Sequence, residues 1–355
     1  MAQQNILSLL PEELEALMAE IGEPKFRALQ LFEGLHRGLS PEEMTNIGKK
    51  TREKLYEVAS YHLPAVERKL VSAIDGTTKY LFSLADGHCV ESVVMRYKHG
   101  NTICISSQVG CLMGCVFCAS TIGGKVRDLE PAELLGQVIA AQRDMGERIS
   151  NIVMMGIGEP LDNYDNVIKF LRLVGHEKGI NIGYRHISLS TCGLVDKIDR
   201  LAKEEFPITL SISLHASDDK TRCEIMPINK KWKIDELLGA CKRYFATTGR
   251  RISFEYALIR GKNDSPEAAA SLAGLLNSRL RSRTEGMPIH VNLIPVNAVE
   301  ERDFKAPDKG AVAKFASILE SKGIRATVRR TLGEDINASC GQLRRNAQKE
   351  ADAKE

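Results

Sequence analysis

The chain has 355 residues, a formal net charge of +3 and a hydrophobic fraction of 43%. This length and composition allow a large buried core and exclude a disordered or fibrous protein. No stretch approaches the roughly eighteen apolar residues of a membrane span, and no charged flank followed by an apolar run marks a secretion signal at the N-terminus. Nine cysteines in such a chain predict reduced thiols and a cytoplasmic location.

The first segment of the chain is predicted to be helical and the second to be β-rich. Acidic residues follow Pro11 in what would be a first helical turn, and apolar positions recur at helical spacing across residues 25–36. Turn signals at Asp75-Gly76 and Asp86-Gly87 then separate short β-like runs. We therefore expect a helical accessory domain over residues 1–62 and a linking β extension over residues 63–100.

From residue 101 to about 345, β-rich runs alternate with helical stretches, and a charged tail over residues 346–355 is expected to fray. Such alternation predicts an α/β domain with a parallel sheet and covering helices. Six strand–helix units are fewer than the eight of a closed barrel, so we expect a partial (β/α)6 barrel with reactive loops at the carboxyl ends of its strands. The predicted strands are 103–107, 152–155, 186–190, 208–215, 252–258 and 290–295, and the predicted helices are 130–145, 163–174, 195–204, 233–247, 265–280 and 309–321.

A loop with three closely spaced cysteines follows the first of these strands. Cys111, Cys115 and Cys118 are separated by three and two residues, so one short loop can turn three thiolates to the same side. Such a set suits a soft metal or an iron–sulfur cluster, and three ligands leave one iron of a four-iron cluster open to a substrate. A zinc knuckle, a disulfide with a spare thiol and three core cysteines are the alternatives. Zinc needs a fourth ligand, and no second Cys-x-x-Cys or close histidine pair follows.

Small and polar residues stand at the predicted ends of the later strands. Glycines permit close backbone approach to a ligand, carboxylates accept hydrogen bonds from an ammonium group, and hydroxyls bind carboxylate or ribose oxygens. Each residue taken alone also has an ordinary structural explanation, as part of a turn, a strand edge or a buried histidine. The candidates of this kind are Gly158, Glu159, Ser190, Ser213, His215 and Asn297.

The cysteine run, with Phe117 before its last cysteine, resembles the signature of the radical S-adenosylmethionine (SAM) enzymes. The resemblance implies a [4Fe–4S] cluster on Cys111, Cys115 and Cys118. It also implies a SAM molecule chelated by the free iron and split to a 5′-deoxyadenosyl radical. The Gly158-Glu159-Pro160 loop lies where this superfamily holds the amino group of SAM.

Further strings resemble the methyl-synthase family of RNA adenosine methyltransferases. They are Thr102-Ile-Cys104, Ser213-Leu-His-Ala, Met226-Pro-Ile-Asn, Asn292-Leu-Ile-Pro and Ala338-Ser-Cys340-Gly-Gln-Leu. The likeness is greatest to the branch that methylates carbon 2 of adenine in 23S ribosomal RNA, at the peptidyl transferase centre, and in tRNA, next to the anticodon. It implies two SAM molecules per turnover.

The same resemblance assigns roles to individual residues. It implies that Cys340 carries the methyl group as a thioether, that Cys104 resolves the protein–RNA adduct and ends in a disulfide with Cys340, and that Glu91 is the proton acceptor. Cys192 departs from the small hydroxyl residue that the family often has there. The residues expected to contact SAM are Gly158, Glu159, Ser190, Ser213, Leu214, His215 and Asn297.

RNA substrates and an electron donor such as flavodoxin or ferredoxin are the implied partners. No membrane partner is expected, and a monomer is the expected state. Basic clusters such as Lys230-Lys231 could contact phosphates, although a charge run is as often a solvated face. The closest rival activity is carbon-8 methylation, which confers ribosome-directed antibiotic resistance and uses the same residues. The rival from another class is a zinc-stabilised RNA-binding protein without enzymatic activity.

Overall fold

The N-terminal segment folds into three short helices, as predicted. They are α1 (Pro11–Glu20), α2 (Phe26–His36) and α3 (Lys49–Val58), and two short parallel strands, β1 (Gln4–Asn5) and β2 (Ala59–Ser60), tie the ends of the segment together. Helix α1 begins at Pro11 because proline fits the first helical position, and the Glu13 carboxylate accepts a hydrogen bond from the Leu10 N–H at 2.7 Å. The apolar faces of these helices join the main core of the protein.

In this computed structural model the described residues are 3–281, 287–297, 299, 301–336 and 343–344. Within these ranges no helix combines the length and the apolar character that a membrane crossing needs. The catalytic candidate Cys340 lies outside the described residues.

The β extension consists of antiparallel strands joined by tight turns. The strands are β3 (Ala65–Val71), β4 (Thr78–Ser83) and β5 (Cys89–Tyr97), and β5 pairs in turn with β6 (Gly100–Cys104). The turns fall at the two predicted Asp-Gly pairs, where Gly76 and Gly87 have φ angles of 71° and 83° that side chains other than glycine rarely adopt. The extension is therefore continuous with the strand that begins the main sheet.

The main body is a sheet of parallel strands with helices along it. After β6 the strands are β9 (Ile149–Met154), β10 (Ile187–Thr191), β11 (Thr209–Ser213), β12 (Ile252–Leu258), β13 (Ile289–Pro295) and β14 (Arg325–Val328). The connecting helices are α4 (Pro131–Met145), α5 (Tyr164–Gly175), α6 (Val195–Leu201), α7 (Asp219–Ile225), α8 (Ile234–Thr248), α9 (Pro266–Leu280) and α10 (Lys309–Ser321).

The ten-stranded sheet runs in the order β14-β13-β12-β11-β10-β9-β6-β5-β4-β3, with parallel pairing from β6 to β14. The six parallel strands β6 and β9 to β13 correspond to the six that the sequence predicts, and β14 adds a seventh at the edge. Because β14 and β3 are both edge strands, the sheet stays open. This architecture confirms the predicted partial barrel.

A small hairpin that the sequence analysis did not predict frames the cysteine loop. It consists of β7 (Gln108–Gly110) and β8 (Lys125–Asp128). Gly110 has a φ of 83°, and a Cβ atom there would lie 1.9 Å from the Gly124 carbonyl oxygen. Only glycine fits this position, so the base of the loop depends on it.

Candidate active site

A cavity of about 340 Å³ opens at the carboxyl ends of the parallel strands. This is the edge at which open α/β sheets bind their ligands. Of the predicted site residues that the structure describes, Glu91 and Leu214 do not line it, and Leu214 is fully buried in the core. The predicted residues that line the cavity are Cys104, Cys111, Cys115, Cys118, Gly158, Glu159, Ser190, Ser213, His215 and Asn297.

The cysteine loop is held in place by its own hydrogen bonds. The Thr121 hydroxyl donates to the carbonyls of Cys115 and Cys118 at 3.1 and 2.9 Å, and the Cys118 N–H donates to the Cys115 carbonyl at 3.1 Å. From outside the loop, the Val116 N–H donates to the Ile225 carbonyl at the end of α7 at 3.0 Å. These bonds involve backbone groups and the Thr121 hydroxyl, and the loop they fix places all three cysteines in the lining of the cavity.

Two of the three cysteines, Cys111 and Cys115, lie in a buried setting that favours the neutral form of their thiols. Burial raises the pKa of Cys111 to about 12 and raises that of Cys115 further, and the neighbouring thiols add to both shifts. Among the described residues, no group of three or more Cys, His, Asp or Glu side chains is arranged around one metal-ion position. A four-iron cluster does not need such a point, because each of its cysteines binds a different iron. Three soft donors on one wall of a cavity fit that cluster.

Glu159 uses its carboxylate to join two strand ends. Its oxygens accept hydrogen bonds from the Leu161 N–H at 3.0 Å and from the Cys192 N–H at 2.7 Å, and burial raises its pKa. Gly158 has a φ of 107°, and a Cβ there would lie 2.6 Å from Gln108. The carboxylate therefore braces this glycine loop against β10. The predicted contact of this loop with the amino group of SAM stays a prediction.

His215 is buried and neutral. Its Nδ1 accepts a hydrogen bond from the Ala257 N–H at 2.9 Å, and burial, aided by the charge of Arg222, lowers its pKa to about 3. The proton of a neutral ring with Nδ1 as acceptor must be on Nε2. A non-glycine φ of 57° and an edge-on contact with Phe117, with ring centroids 5.1 Å apart, fix the orientation of the ring. His215 thus lines the cavity as an uncharged hydrogen-bond donor.

The inner face of the sheet is polar where it borders the cavity. The hydroxyls of Ser190 and Ser213 lie 3.5 Å apart on neighbouring strands. Glu255, which sequence analysis missed, lies next to Ser213 in the register of β11 and β12 and also lines the cavity. Its carboxylate accepts from the Asn292 amide at 2.7 Å and from the Ser253 hydroxyl at 3.1 Å, and burial raises its pKa. Its alternation with Ser253 in an otherwise apolar strand was the signal that could have identified it.

Cys104 and Glu91 lie on adjacent antiparallel strands. Cys104 is 2% exposed and pairs with Val93, two residues along β5 from Glu91. Glu91, which would be taken for a surface carboxylate from its sequence alone, is 3% exposed and lies 3.1 Å from the ammonium group of Lys79. Its other oxygen accepts from the Arg344 N–H at 2.6 Å.

The described residues on both sides of Cys340 in the sequence bond to the β extension. The Gly333 N–H donates to Asp75 at 2.9 Å, and Asp335 accepts from the Ser72 hydroxyl at 2.6 Å. Arg344, beyond Cys340, bonds to Glu91. The described residues that flank the predicted methyl-carrier segment therefore contact the turn between β3 and β4 and strand β5.

Two family profiles match this chain. The Radical SAM superfamily matches residues 105–273, and the ribosomal RNA large subunit methyltransferase N-terminal domain matches residues 4–60. A relative from Clostridium acetobutylicum, described as "Probable dual-specificity RNA methyltransferase RlmN", is 51% identical over 99% of this chain and 100% of its own. A second relative of the same description, from Clostridium tetani, is 53% identical over 96% of both chains. The chain belongs to the RlmN family of radical SAM RNA methyltransferases.

The solved structure of a radical SAM methyltransferase from Sphaerobacter thermophilus has the same architecture. It is 41% identical, covers 96% of this chain and 98% of its own, and superposes with a TM-score of 0.89. Membership of the RlmN family implies a [4Fe–4S] cluster and SAM as cofactors. The thiols and polar groups around the cavity fit both.

The remaining cysteines of this RlmN-family chain divide by burial. Cys192 and Cys241 are buried, whereas Cys89 and Cys223 are half-buried. At Cys192, where the chain departs from the family pattern, both the backbone N–H and the side chain bond to Glu159.

Arg222 in α7 is the other residue that sequence analysis missed. It is the largest of the fully buried side chains, and its guanidinium contacts the ends of β10 and β11. No sequence pattern separates such an arginine from a surface arginine in a seven-residue helix.

Proposed function

We propose that this enzyme methylates carbon 2 of an adenosine in 23S ribosomal RNA and in tRNA. The observation that carries the proposal is the convergence on one cavity of the three cluster cysteines, Cys104 and the polar strand ends. The RNA substrates are supported by the curated relatives, described as dual-specificity RNA methyltransferases, and by the match to a ribosomal RNA methyltransferase N-terminal domain.

A radical route suits the chemistry of this carbon. Carbon 2 of adenine is an electrophilic amidine carbon, so a direct displacement of the SAM methyl group cannot reach it. The cluster and SAM, when bound, supply the 5′-deoxyadenosyl radical. We assign Cys111, Cys115 and Cys118 to the cluster.

The contacts to SAM are assigned to the polar groups that border the cavity. The Gly158-Glu159 loop shapes one side of the binding site, and Leu214 lies between the lining residues Ser213 and His215. The Nε2–H of neutral His215 is a donor that stays uncharged at physiological pH, so it adds no repulsion toward the sulfonium. The remaining contacts are assigned to Ser190, Ser213 and Asn297.

The methyl group passes through a protein thiol in this proposal. Cys340 takes a methyl group from one SAM, and a hydrogen atom is removed from that methyl by the radical made from a second SAM. The carbon radical adds to the ring, which links protein and RNA. The adduct radical then loses one electron, which the cluster would take up, and the ring proton, which Glu91 accepts. The Cys104 thiolate attacks the sulfur of Cys340, so the carbon–sulfur bond breaks with its electron pair on the former methylene carbon. A proton completes the methyl group there, and the two sulfurs are left as a disulfide. The burial of Cys104 beside the cavity and the position of Glu91 on the next strand support these two roles.

Product analysis tests the proposal. Ribosomal RNA and tRNA lacking the modification are incubated with reduced, cluster-loaded enzyme and methyl-labelled SAM, and digested nucleosides are analysed by mass spectrometry against 2-methyladenosine and 8-methyladenosine standards. We expect 2-methyladenosine from both RNAs. Formation of 8-methyladenosine would transfer the assignment to the other carbon, and unmodified RNA with no consumption of SAM would favour the zinc-stabilised binding protein.

A further inference from the structure

Arg222 is a fully buried arginine with no role in the chemistry proposed above. Its Nε donates to the Leu214 carbonyl at 3.0 Å and its Nη1 to the Asn229 side-chain oxygen at 3.0 Å. Its Nη2 donates to the carbonyls of Cys192 at 2.7 Å and Ser213 at 3.1 Å. These four acceptors are all neutral groups. A buried guanidinium bonded only to neutral acceptors is costly, and the carboxylate of Asp219 is linked to it through Asn229 rather than by a direct bond.

The cysteine loop packs directly on the segment that carries Arg222. Ile225, three residues further along α7, accepts the hydrogen bond from Val116 in the loop, and a Cβ at Gly114 would lie 3.4 Å from Pro227. Ile225 and Met226 share one apolar cluster with Cys115 and its neighbours. The end of the helix that carries Arg222 therefore packs against the cysteine loop.

Arg222 also bonds to the strand end that packs against the cysteine loop. Its Nη2 donates to the carbonyl of Cys192, and Cys192 and Cys115 belong to the same apolar cluster. Glu159, a buried carboxyl, accepts from the N–H of the same Cys192. Arg222 is thus the basic member of the two buried ionisable groups bonded to the backbone of this strand end.

A cluster held by three thiolates has a net negative charge, and one more negative charge is added when it accepts an electron. A fixed cation in a dry environment stabilises the more negative form more strongly, which raises the reduction potential. We propose that the buried charge of Arg222 raises the reduction potential of the cluster on Cys111, Cys115 and Cys118, so that a one-electron donor can reduce it. Arg222 is in this sense a positioning and charge-tuning residue, and the inference rests on the proposed placement of the cluster.

The test is a redox titration of the cluster-loaded enzyme without SAM, followed by the electron paramagnetic resonance signal of the reduced cluster. For Arg222→Met we expect the equilibrium constant for reduction to fall about tenfold, which is about 59 mV for a one-electron couple. Arg222→Lys keeps the charge but loses the planar guanidinium and its several N–H donors. Its equilibrium constant for reduction should stay within about threefold of that of the parent. Arg243→Met removes an arginine that is paired with Asp199 on the surface, and should not change the midpoint.

A second variant keeps Arg222 in place. Asp219 is the carboxylate beyond Asn229, and its Oδ1 accepts from the Asn229 amide at 2.8 Å and from the Ile234 N–H at 3.0 Å. Asp219→Asn can keep both bonds through its own Oδ1 while the counter-charge of Arg222 is lost. We expect the midpoint to shift upward, opposite to that of Arg222→Met.

These outcomes separate the inference from the proposal on which it rests. If cluster-loaded Arg222→Met has the midpoint of the parent, the charge of Arg222 does not tune the cluster. Equal downward shifts in Arg222→Lys and Arg222→Met would mean the same. Either result would leave the placement of the cluster intact. If Arg222→Met does not fold, an unchanged midpoint in Asp219→Asn would overturn it. A parent protein that assembles no cluster on these cysteines would overturn the placement and the inference together.

Discussion

His36 and His215 are both buried, and both accept a hydrogen bond at Nδ1 from a backbone N–H. Burial lowers the pKa of each to about 3, and the charge of His176 adds to the shift at His36. Each ring is therefore neutral in the folded protein throughout the range in which the unfolded chain takes up a proton. By linkage, the stability that depends on these rings is complete above pH 6.5 and is lost as the pH falls from 6.5 toward 3.

This direction of the pH dependence can be tested at His36, which is not among the residues that line the cavity. Between pH 6.5 and pH 5.5, protonation of the unfolded chain should cost about 1 kcal/mol of unfolding free energy for each such histidine. His36→Gln should therefore lose about 1 kcal/mol less than the parent over this interval. Urea unfolding at the two pH values measures the difference. Parallel loss of stability in parent and variant would contradict the neutral buried ring.

Cys104 gives a prediction about the adduct between protein and RNA. If Cys104 resolves the adduct, Cys104→Ala should still attach RNA but should not release it, because no second thiol is available to take the sulfur of Cys340. Denaturing gel electrophoresis with labelled RNA should show a covalent protein–RNA species that the parent lacks. Cys241→Ala, at a buried cysteine of α8, is the matched control. Free methylated RNA from Cys104→Ala at the rate of the parent would contradict the role.

At the scale of elements, the β7–β8 hairpin determines the position of the cysteine loop. Gly110→Ala would place a Cβ 1.9 Å from the Gly124 carbonyl oxygen, whereas a Cβ at Gly124 would meet nothing within 4 Å. Both glycines have a left-handed φ, so the backbone strain is shared and only the clash differs. We expect Gly110→Ala to lose most of its iron after reconstitution and Gly124→Ala to retain most of it. Equal iron content in the two variants would show that the hairpin does not position the loop.

The ion pair between β4 and β5 is the second element-scale feature. Lys79 and Glu91 are both buried, with a nitrogen–oxygen distance of 3.1 Å. Removal of one partner leaves a buried charge behind, so Lys79→Met should lower the unfolding free energy by about 3–5 kcal/mol.

Lys69 provides the matched control on the neighbouring strand. Lys69 pairs with Asp144 in a more exposed position, and Lys69→Met should cost less than about 1 kcal/mol. Denaturant unfolding compares the two variants. Equal losses would mean that burial does not set the strength of the inner pair.

At the scale of the whole molecule, the periodic pattern of the sequence was sufficient for the sheet. Strands β9 to β13 and helices α4 to α6 and α8 to α10 lie within a few residues of the predicted ranges, because apolar runs of this length between helical segments have few other interpretations. The seven-residue helix α7 was not predicted. The hairpin turns of the β extension were equally clear, since Asp-Gly pairs indicate a left-handed glycine. The continuity of β3 to β5 with the main sheet was not predicted, because strand pairing between distant segments leaves no local signal.

The residues of the cavity that belong to short local motifs were predicted from the sequence. The residues whose importance depends on their burial were missed. The cysteine spacing identified one wall of the cavity, and strand-end hydroxyls identified another. Arg222 and Glu255 were missed because an arginine or a glutamate is normally a surface residue, and only the fold shows that these two are buried. The short strands β7 and β8 were missed for a related reason, since three or four residues are too few to show a period.

The central claim is that Cys111, Cys115 and Cys118 hold a [4Fe–4S] cluster that splits SAM in this cavity. The most direct measurement is the yield of 5′-deoxyadenosine from anaerobically reconstituted, reduced enzyme incubated with SAM, compared with Cys115→Ala. We expect the parent protein to be brown, to contain about four irons per chain and to form 5′-deoxyadenosine. We expect Cys115→Ala to form none. A colourless parent that retains one zinc ion and leaves SAM intact would contradict it.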